Sequence, residues 1–396
     1  MSWKTKIPAR FIDFGNKVLN SNIFGIKLVA NGGGSGTWMY IDENENIVDL
    51  PDRFFESHPT FKPMIKPDGN GYTFESGQIS MVKIPRFYIR TSSNGDKFWI
   101  APDPINPSYT PEENDKAINE LYEKGFRLHP AFIKSESESY ECFYIGSYPL
   151  SITSDGKALS TGGDTALVKV QPSLFSGYCE ARSDGYHMWT IYELSAIQML
   201  AILQCKTTNL QKECGRGRVN ADGVGMNGDT TVSTTNPNLI GPATANYNGI
   251  YALWGNAWQV VNGIKIDANN KLMLWTREGE KIYRTTDITL PYRENTTTSY
   301  AGGVDYGFYN KTLMDVGAQY DLSEVFLPDF SFLSGRMELG SYSDAVYCPT
   351  GIHRGELMCG VGGSYNSDDE AGLFAYNFNI SPNDKYDSVT SRLAKY

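Results

Sequence analysis

The stretch GIYALWGNAWQVVNG, Gly249 to Gly263, sets two tryptophans four positions apart around a Gly-Asn pair. Its apolar residues do not recur at helical spacing, so the pattern is strand, turn, strand. Whether such a segment serves chemistry or holds a scaffold depends on what surrounds it.

The surroundings are those of a globular protein. The chain has 396 residues, enough for one large domain or two to three ordinary ones. Hydrophobic residues make up 40% and charged residues 20%, which excludes a disordered chain. The 25 tyrosines are unusual. Tyr suits a recognition surface and equally covers the faces of β-sheets. A net charge of −10 with no basic stripe argues against nucleic acid as a partner. The opening Met1-Ser2-Trp3-Lys4 has no apolar signal region, and no apolar run approaches the roughly 18 residues of a membrane span. The expectation is a soluble protein made in a cytoplasm, with no membrane insertion. None of the six cysteines has CxxC spacing, which removes the usual zinc pattern. Buried free thiols are the default, and Cys205 with Cys214 and Cys348 with Cys359 are candidate disulfide pairs.

Along the chain, residues 1–36 read as a separate unit ending in NGGGSG, taken as a flexible joint. TWMYIDENENIVDL, residues 37–50, alternates around a polar turn as a β-hairpin does. MVKIPRFYIR, residues 81–90, is β-rich, with Pro85 at an edge or bulge. The clear helix is TIYELSAIQMLAILQCK, residues 190–206. Thr190 and Glu193 form a capping box, and Ile191, Leu194, Ile197, Leu200, Ala201 and Leu203 make an apolar stripe. A second helix is expected at PEENDKAINELYEKG, closed by Gly125. Residues 206–250 are rich in Gly, Asn and Thr and read as long loops, of the kind that carry function. No repeat of 20 to 50 residues emerges.

The order of these pieces resembles a known family. MVKIPRFYI, GFRLHPAFI, ECFYIGSYPLS, the capped helix WTIYELSAIQML, the tryptophan segment and GVGGSYNSDDEAGLFAYNFN follow one another as in the formylglycine-generating-enzyme-like branch of the C-type-lectin fold. The resemblance covers residues 78–396, and FFESHPTFKPMI upstream resembles what precedes this domain in phage tail proteins. The combination is most similar to phage and prophage proteins of the tropism-determinant type, whose lectin-like domain is varied by diversity-generating retroelements. It implies an α+β, loop-rich fold with a virion-attachment segment at 1–36, a β-rich adaptor at 37–77 and the lectin-like domain at 78–396. In that scheme Trp189, Trp254, Gly255, Asn256, Trp258, Gly362 and Gly363 are scaffold. The tryptophans anchor, Gly255-Asn256 turns, and Gly249 and Gly263 punctuate strands. Gln259 departs from the pattern, which has Glu there. Val361 stands where Arg is common, and Thr390-Ser391-Arg392-Leu393 replaces a Gly-Phe-Arg-Leu ending.

Three uses of such a domain are distinguishable in the sequence. Metal-dependent oxidation needs thiolates or clustered imidazoles. Cys348 and Cys359 precede the GGSY motif rather than sitting in the last core strands, and the four histidines are scattered singly. No nucleophile elbow or phosphate loop occurs. The expectation is therefore no catalytic residue, no metal and no cofactor. Calcium-dependent sugar binding lacks its Glu-Pro-Asn, Gln-Pro-Asp and Trp-Asn-Asp motifs, although Asp368-Asp369-Glu370 offers hard oxygen ligands. Display remains. The resemblance carries the displayed set to Tyr347, Pro349 through Arg354, Tyr365, Asn366, Ser367, Asp368, Asp369, Asn377, Asn379, Ser381, Asn383 and Tyr386. Their chemistry is that of adaptable paratopes. In LFAYNFNI, Phe374, Tyr376, Phe378 and Ile380 alternate with Ala375, Asn377 and Asn379, so one face packs and the other presents. The expected protein is a virion adhesin, such as a tail fibre, that binds a host bacterial surface protein or glycan. It joins other virion proteins through its N-terminal region and assembles as a homo-oligomer, with the family favouring a trimer. A virion decoration protein is the alternative.

Overall fold

The computed structural model describes residues 22–30, 37–92, 97–183, 185–225, 245–277, 281–290, 324–327, 346–349 and 355–396. In chain order the strands are β1 (Phe24–Ala30), β2 (Thr37–Ile41), β3 (Tyr72–Phe74), β4 (Ile79–Pro85), β5 (Phe87–Thr91), β6 (Lys97–Pro102), β7 (Arg127–Leu128) and β8 (Cys142–Gly146). A small ribbon, β9 (Ser151–Ile152) with β10 (Ala158–Leu159), precedes β11 (Tyr186–Met188). A second ribbon, β12 (Asn246–Tyr247) with β13 (Ile250–Tyr251), leads into β14 (Trp258–Ile266), β15 (Lys271–Trp275) and β16 (Tyr283–Thr289). The last strands are β17 (Val346–Tyr347), β18 (Leu357–Gly362), β19 (Gly372–Ile380), β20 (Val389–Thr390) and β21 (Leu393–Lys395). The helices are α1 (Phe54–Ser57), α2 (Pro111–Glu123), α3 (Phe175–Glu180), α4 (Ile191–Cys205) and α5 (Leu210–Cys214). This is a strand-rich α+β architecture, and no helix among the described residues is long and apolar enough to cross a membrane.

Three sheets carry it. The first runs β2-β1-β6-β5-β7, the second β11-β21-β8-β4-β3, and the third β16-β15-β14-β18-β19-β17, with β20 parallel to the start of β14. The first sheet is covered on both faces, which explains the unbroken apolar run FWIA, Phe98 to Ala101, of β6. Phe98 and Ile100 join the main core, whereas Trp99 and Ala101 join a smaller cluster with Leu121 and Phe126 under α2. Pro85 ends β4 where the chain leaves the second sheet for the first. The buried Arg86 at that crossing donates to Asp103 at 2.6 and 2.8 Å and to Ser139 at 2.8 Å.

Both expected helices form, α4 with the capping box read from its sequence and α2 with a further one. Thr110 with Glu113 and Thr190 with Glu193 are complete capping boxes. Gly125 closes α2 with φ +81°: its N–H reaches Tyr122 and that of Phe126 reaches Leu121, a Schellman pattern with Phe126 packed in the same cluster as Leu121. The hairpin at 37–50 is present, with Val48 N–H bonded to the Tyr40 carbonyl and Asp42 accepting from Asn44 and Asn46 across the turn.

The structure differs from the sequence reading in several places. The apolar stripe of α4 is an underestimate, because every residue from Ile191 to Leu203 is buried. Its polar members are tolerated because they are bonded: Glu193 to His187 at 2.7 Å, Ser195 to the Glu324 carbonyl, and Gln198 to the Leu373 carbonyl at 3.0 Å. Residues 206–250 are not loop throughout. They contain α5 and the β12–β13 ribbon, whose two-residue turn Asn248-Gly249 has positive φ at both positions. Gly263 lies inside β14 at a bulge between Val261 and Lys265, rather than at a strand end. Strand pairing also crosses both expected boundaries. β1 pairs with β2 across position 36 and with β6, and β3 pairs with β4 across position 77. Residues 22–102 thus share sheets that the reading of 31–36 as a joint divides between units. Residues 1–21 and 31–36 lie outside the described set.

Candidate functional site

The tryptophan segment is the hub of the third sheet. Trp254 is fully buried and its indole N–H donates to the Gly215 carbonyl at 2.9 Å. Gly255 and Asn256 both have positive φ, 73° and 64°, as the turn requires. The turn binds two other pieces of chain. Gly255 N–H bonds the Gly362 carbonyl at 3.0 Å, and Asn256 N–H bonds the Arg218 carbonyl at 2.6 Å. The Asn256 side chain accepts from Gly225 N–H at 2.8 Å. Trp189, buried behind it, donates to the Val260 carbonyl at 2.9 Å. Trp189, Trp254, Gly255, Asn256 and Gly362 are thus linked by hydrogen bonds to neighbouring segments of the chain.

At the end of β18 the chain passes this hub closely. Gly362 and Gly363 have φ of 94° and 84°, and a Cβ on Gly362 would stand 2.6 Å from the Leu253 carbonyl oxygen. Neither position has room for a side chain. The turn that follows, residues 364–370, is bonded from below at three points. Tyr365 N–H donates to the Asn256 carbonyl at 3.0 Å, Ala221 N–H to the Tyr365 carbonyl at 2.8 Å, and Asp368 N–H to the Val219 carbonyl at 2.8 Å. Arg216 pairs with the Asp368 carboxylate, and Gln211 donates to the Asp368 carbonyl at 3.2 Å. Within the turn, Ser364 N–H donates to the Ser367 hydroxyl at 2.9 Å and the Ser364 hydroxyl to the Asn366 side chain at 2.7 Å. Asn366 is left exposed and Tyr365 half-exposed.

Tyr347 joins this turn from β17. Its ring stands edge-on to Trp258 at 5.4 Å, its hydroxyl donates to the Glu370 carboxylate, and in the parallel register it lies beside Asn377. Tyr347, Tyr365, Asn366, Asp368 and Asn377 are therefore brought to one region. Ser367 is also there but only 6% exposed, its hydroxyl spent on the turn, so it shapes the site and does not present itself. The remaining expected residues gather elsewhere. Ser381 N–H donates to the Tyr386 hydroxyl at 2.8 Å, Lys169 N–H to the Tyr386 carbonyl at 2.6 Å, and Gln171 to the Asn383 carbonyl at 2.8 Å. Ser381, Asn383 and Tyr386 thus stand against the 169–173 segment. Asn379 N–H donates to the Asn377 side chain at 2.9 Å, and both residues are half-buried. The alternation expected for β19 is present on its packed face, where Phe374, Tyr376, Phe378 and Ile380 are buried, but Ala375 on the other face is buried too. Arg354, with residues 350–353, and the side chain of Asp369 lie outside the described set.

The electrostatics of the region are those of internal pairing. The Asp368 and Glu370 carboxylates, two of the hard ligands read as candidates for calcium, each hold a protein donor. Cys359 is fully buried and burial pushes its thiol well up. The other cysteines are free thiols as well. His58 stacks on Phe54, His129 is buried against Phe87 and Phe132, and His187 pairs with Glu193. His353 lies outside the described residues.

Two features of the frame escaped the sequence reading. Arg392 is fully buried and donates to the Gln259 side chain at 2.8 Å, to the Gly146 carbonyl at 2.7 Å and to the Tyr251 and Ala252 carbonyls at 2.7 and 3.0 Å. It ties the end of the chain to β8, β13 and β14. The second is Arg216, the cation under the turn. Its position in a Gly-rich stretch carried no periodic signal. A cleft of about 440 Å³, lined by Tyr88, Tyr122, Arg127 and Arg277 among others, shares no residue with the expected set.

No family model matches the sequence, and no curated protein matches it. Among solved structures the chain is similar to one titled "Major Tropism Determinant U1 Variant", with a TM-score of 0.31 and 10% sequence identity, over 91% of this chain and 92% of that one.

Proposed function

We propose that this chain is a phage virion protein that binds a receptor on the host-cell surface through the 364–370 turn and Tyr347, and that the site binds without catalysing a reaction. On this reading the strand-rich domain is a C-type-lectin fold of the formylglycine-generating-enzyme-like branch. The support is the order of its sequence motifs and the conversion of the tryptophan segment into a frame. The observation that carries the reading is the turn. Its backbone is bonded to Val219, Ala221 and Asn256, while Tyr365 and Asn366 keep accessible surface. A loop already ordered costs less to immobilise on binding, and Tyr with Asn supplies rigid contact area and adaptable hydrogen bonding. Several copies on one particle raise the effective concentration of a site of modest affinity.

The test is direct. Fluorescently labelled full-length protein is applied to a panel of bacterial strains, with unlabelled protein as competitor. Saturable, competed binding to a restricted set of strains is expected. Folded protein that binds no strain, together with failure of an antibody against residues 355–396 to reach that region on intact particles, would place the domain within the virion wall instead.

A further inference from the structure

Cys205 ends α4 and Cys214 ends α5, and their sulfurs stand 3.8 Å apart. Both residues are half-buried, so small thiol reagents have access; Cys142 is half-buried as well and can take only an adduct unless it meets a second thiol, whereas Cys179, Cys348 and Cys359 are buried. We propose that Cys205 and Cys214 form an oxidative modification site, closing to a disulfide when the folded protein meets a low-molecular-weight disulfide. A disulfide needs the sulfurs at about 2.05 Å, so closure requires an approach of under about 2 Å. The compliant partner is α5: five residues long, it has no side-chain cap at Asn209, and it follows a break at Lys206, whose φ is +52°. The inward thiol, Cys205, hydrogen-bonds to Cys214, and that bond lowers the pKa of Cys214 while raising that of Cys205. Cys214, carried by the short uncapped helix that can move, is assigned as the attacking group.

The chemistry balances as an exchange. The Cys214 thiolate attacks one sulfur of the reagent, forming a mixed disulfide and releasing one reagent thiol. The Cys205 thiol gives its proton to solvent and attacks the Cys214 sulfur, expelling the second reagent thiol. The protein loses two hydrogens and the reagent gains them.

The position gives the bond a consequence. α5 and the residues after it form the floor under the 364–370 turn, through Gln211, Arg216, Val219 and Ala221. α4 is the buried central helix. A Cys205–Cys214 bond staples that floor to the core, restricting the turn above it.

Reduced full-length protein is incubated with oxidised glutathione, blocked with iodoacetamide and digested with trypsin without reductant. Cleavage after Lys206, Lys212 and Arg216 separates the two cysteines, so the bond is read as a joined peptide pair that includes Glu213–Arg216. The expected result is that pair, with the six thiols of the denatured chain falling to four. In Cys205→Ser, glutathione is expected to remain attached at Cys214. Amide exchange at Val219, Ala221, Tyr365 and Asp368 should slow severalfold in the oxidised protein. Six thiols retained, a stable glutathione adduct in the unaltered chain, or a bond between other cysteines overturns the site. Unchanged exchange after the bond has formed overturns its link to the turn.

Discussion

At the residue scale, the hydrogen bonds of Gln259 call for an amide rather than a carboxylate. Its amide accepts from Arg392 and also donates to the Ala252 carbonyl at 2.7 Å, which a carboxylate cannot do. Burial pushes the Arg392 guanidinium down to about 9, and its hydrogen bonds to Gln259 and to backbone carbonyls oppose that cost. Arg392→Met removes the arginine donor from Gln259 and from the Gly146 and Tyr251 carbonyls, while the Ala252 carbonyl keeps Gln259, and we expect a loss of about 3 kcal/mol or more by denaturant titration. His129 gives the pH prediction. It is fully buried, its Nδ1 accepts from Ala131 N–H, and burial, followed by the charge of Arg277, lowers its pKa from 6.5 to about 3. The unfolded chain takes up this proton below about pH 6.5 while the folded one does not, so the contribution is complete above that pH and is lost as pH falls toward 3. Denaturation midpoints measured across that window should fall less steeply in His129→Asn, with a difference on the order of 4 kcal/mol at the acid end. Trp254, Gly255 and Asn256 were legible because a turn of that shape admits few residue types. Arg392 and Ser367 were not, since their roles depend on partners distant in sequence or on burial.

At the scale of elements, what was legible is what is local. The Thr190 capping box, the Gly125 closure and the hairpin at 37–50 each lie within a few residues, and each is present, whereas the Thr110 capping box is equally local and the sequence reading does not name it. α5 and the Asn248-Gly249 hairpin were hidden inside a composition that reads as loop, although Asn-Gly between short apolar pairs is itself a hairpin signal. Burial separates the two capping boxes. Thr110 caps an exposed helix end, where water can replace the lost oxygen, while Thr190 is buried. Thr190→Ala is expected to cost about 1–2 kcal/mol and Thr110→Ala about 0.5–1 kcal/mol in thermal unfolding. Gly362→Ala would force a methyl against the Leu253 carbonyl in left-handed backbone, and its loss should exceed that of either cap variant.

At the scale of the molecule, one expected boundary lies at the Gly/Ser run and the other where the resemblance begins, and strand pairing crosses both positions. β1 lies between β2 and β6, and Phe24, Phe54 and Phe61 pack in the same core as Ile84, Trp189 and Trp254. Which strands become neighbours is a property of distant segments, and nothing in NGGGSG shows that its two flanks pair. A fragment of residues 78–396 loses β1, β2 and β3, baring the β6 edge and one side of the core. We expect it to be aggregated or to lack a cooperative thermal transition. A soluble, cooperatively unfolding fragment would support a division at 77. The same scale governs recognition, because the residues read as one displayed set divide into a group at the 364–370 turn and another against residues 169–173.

That division supplies the most direct test of the account. Binding to a recognised strain is compared for the intact protein, for Tyr365→Ala with Asn366→Ala, and for Ser381→Ala with Asn383→Ala, all with matched thermal unfolding. The account predicts at least a tenfold loss for the first pair, about 1.4 kcal/mol or more, and near-unchanged binding for the second. Unchanged binding in the first pair with loss in the second would contradict it and move recognition to the other end of β19.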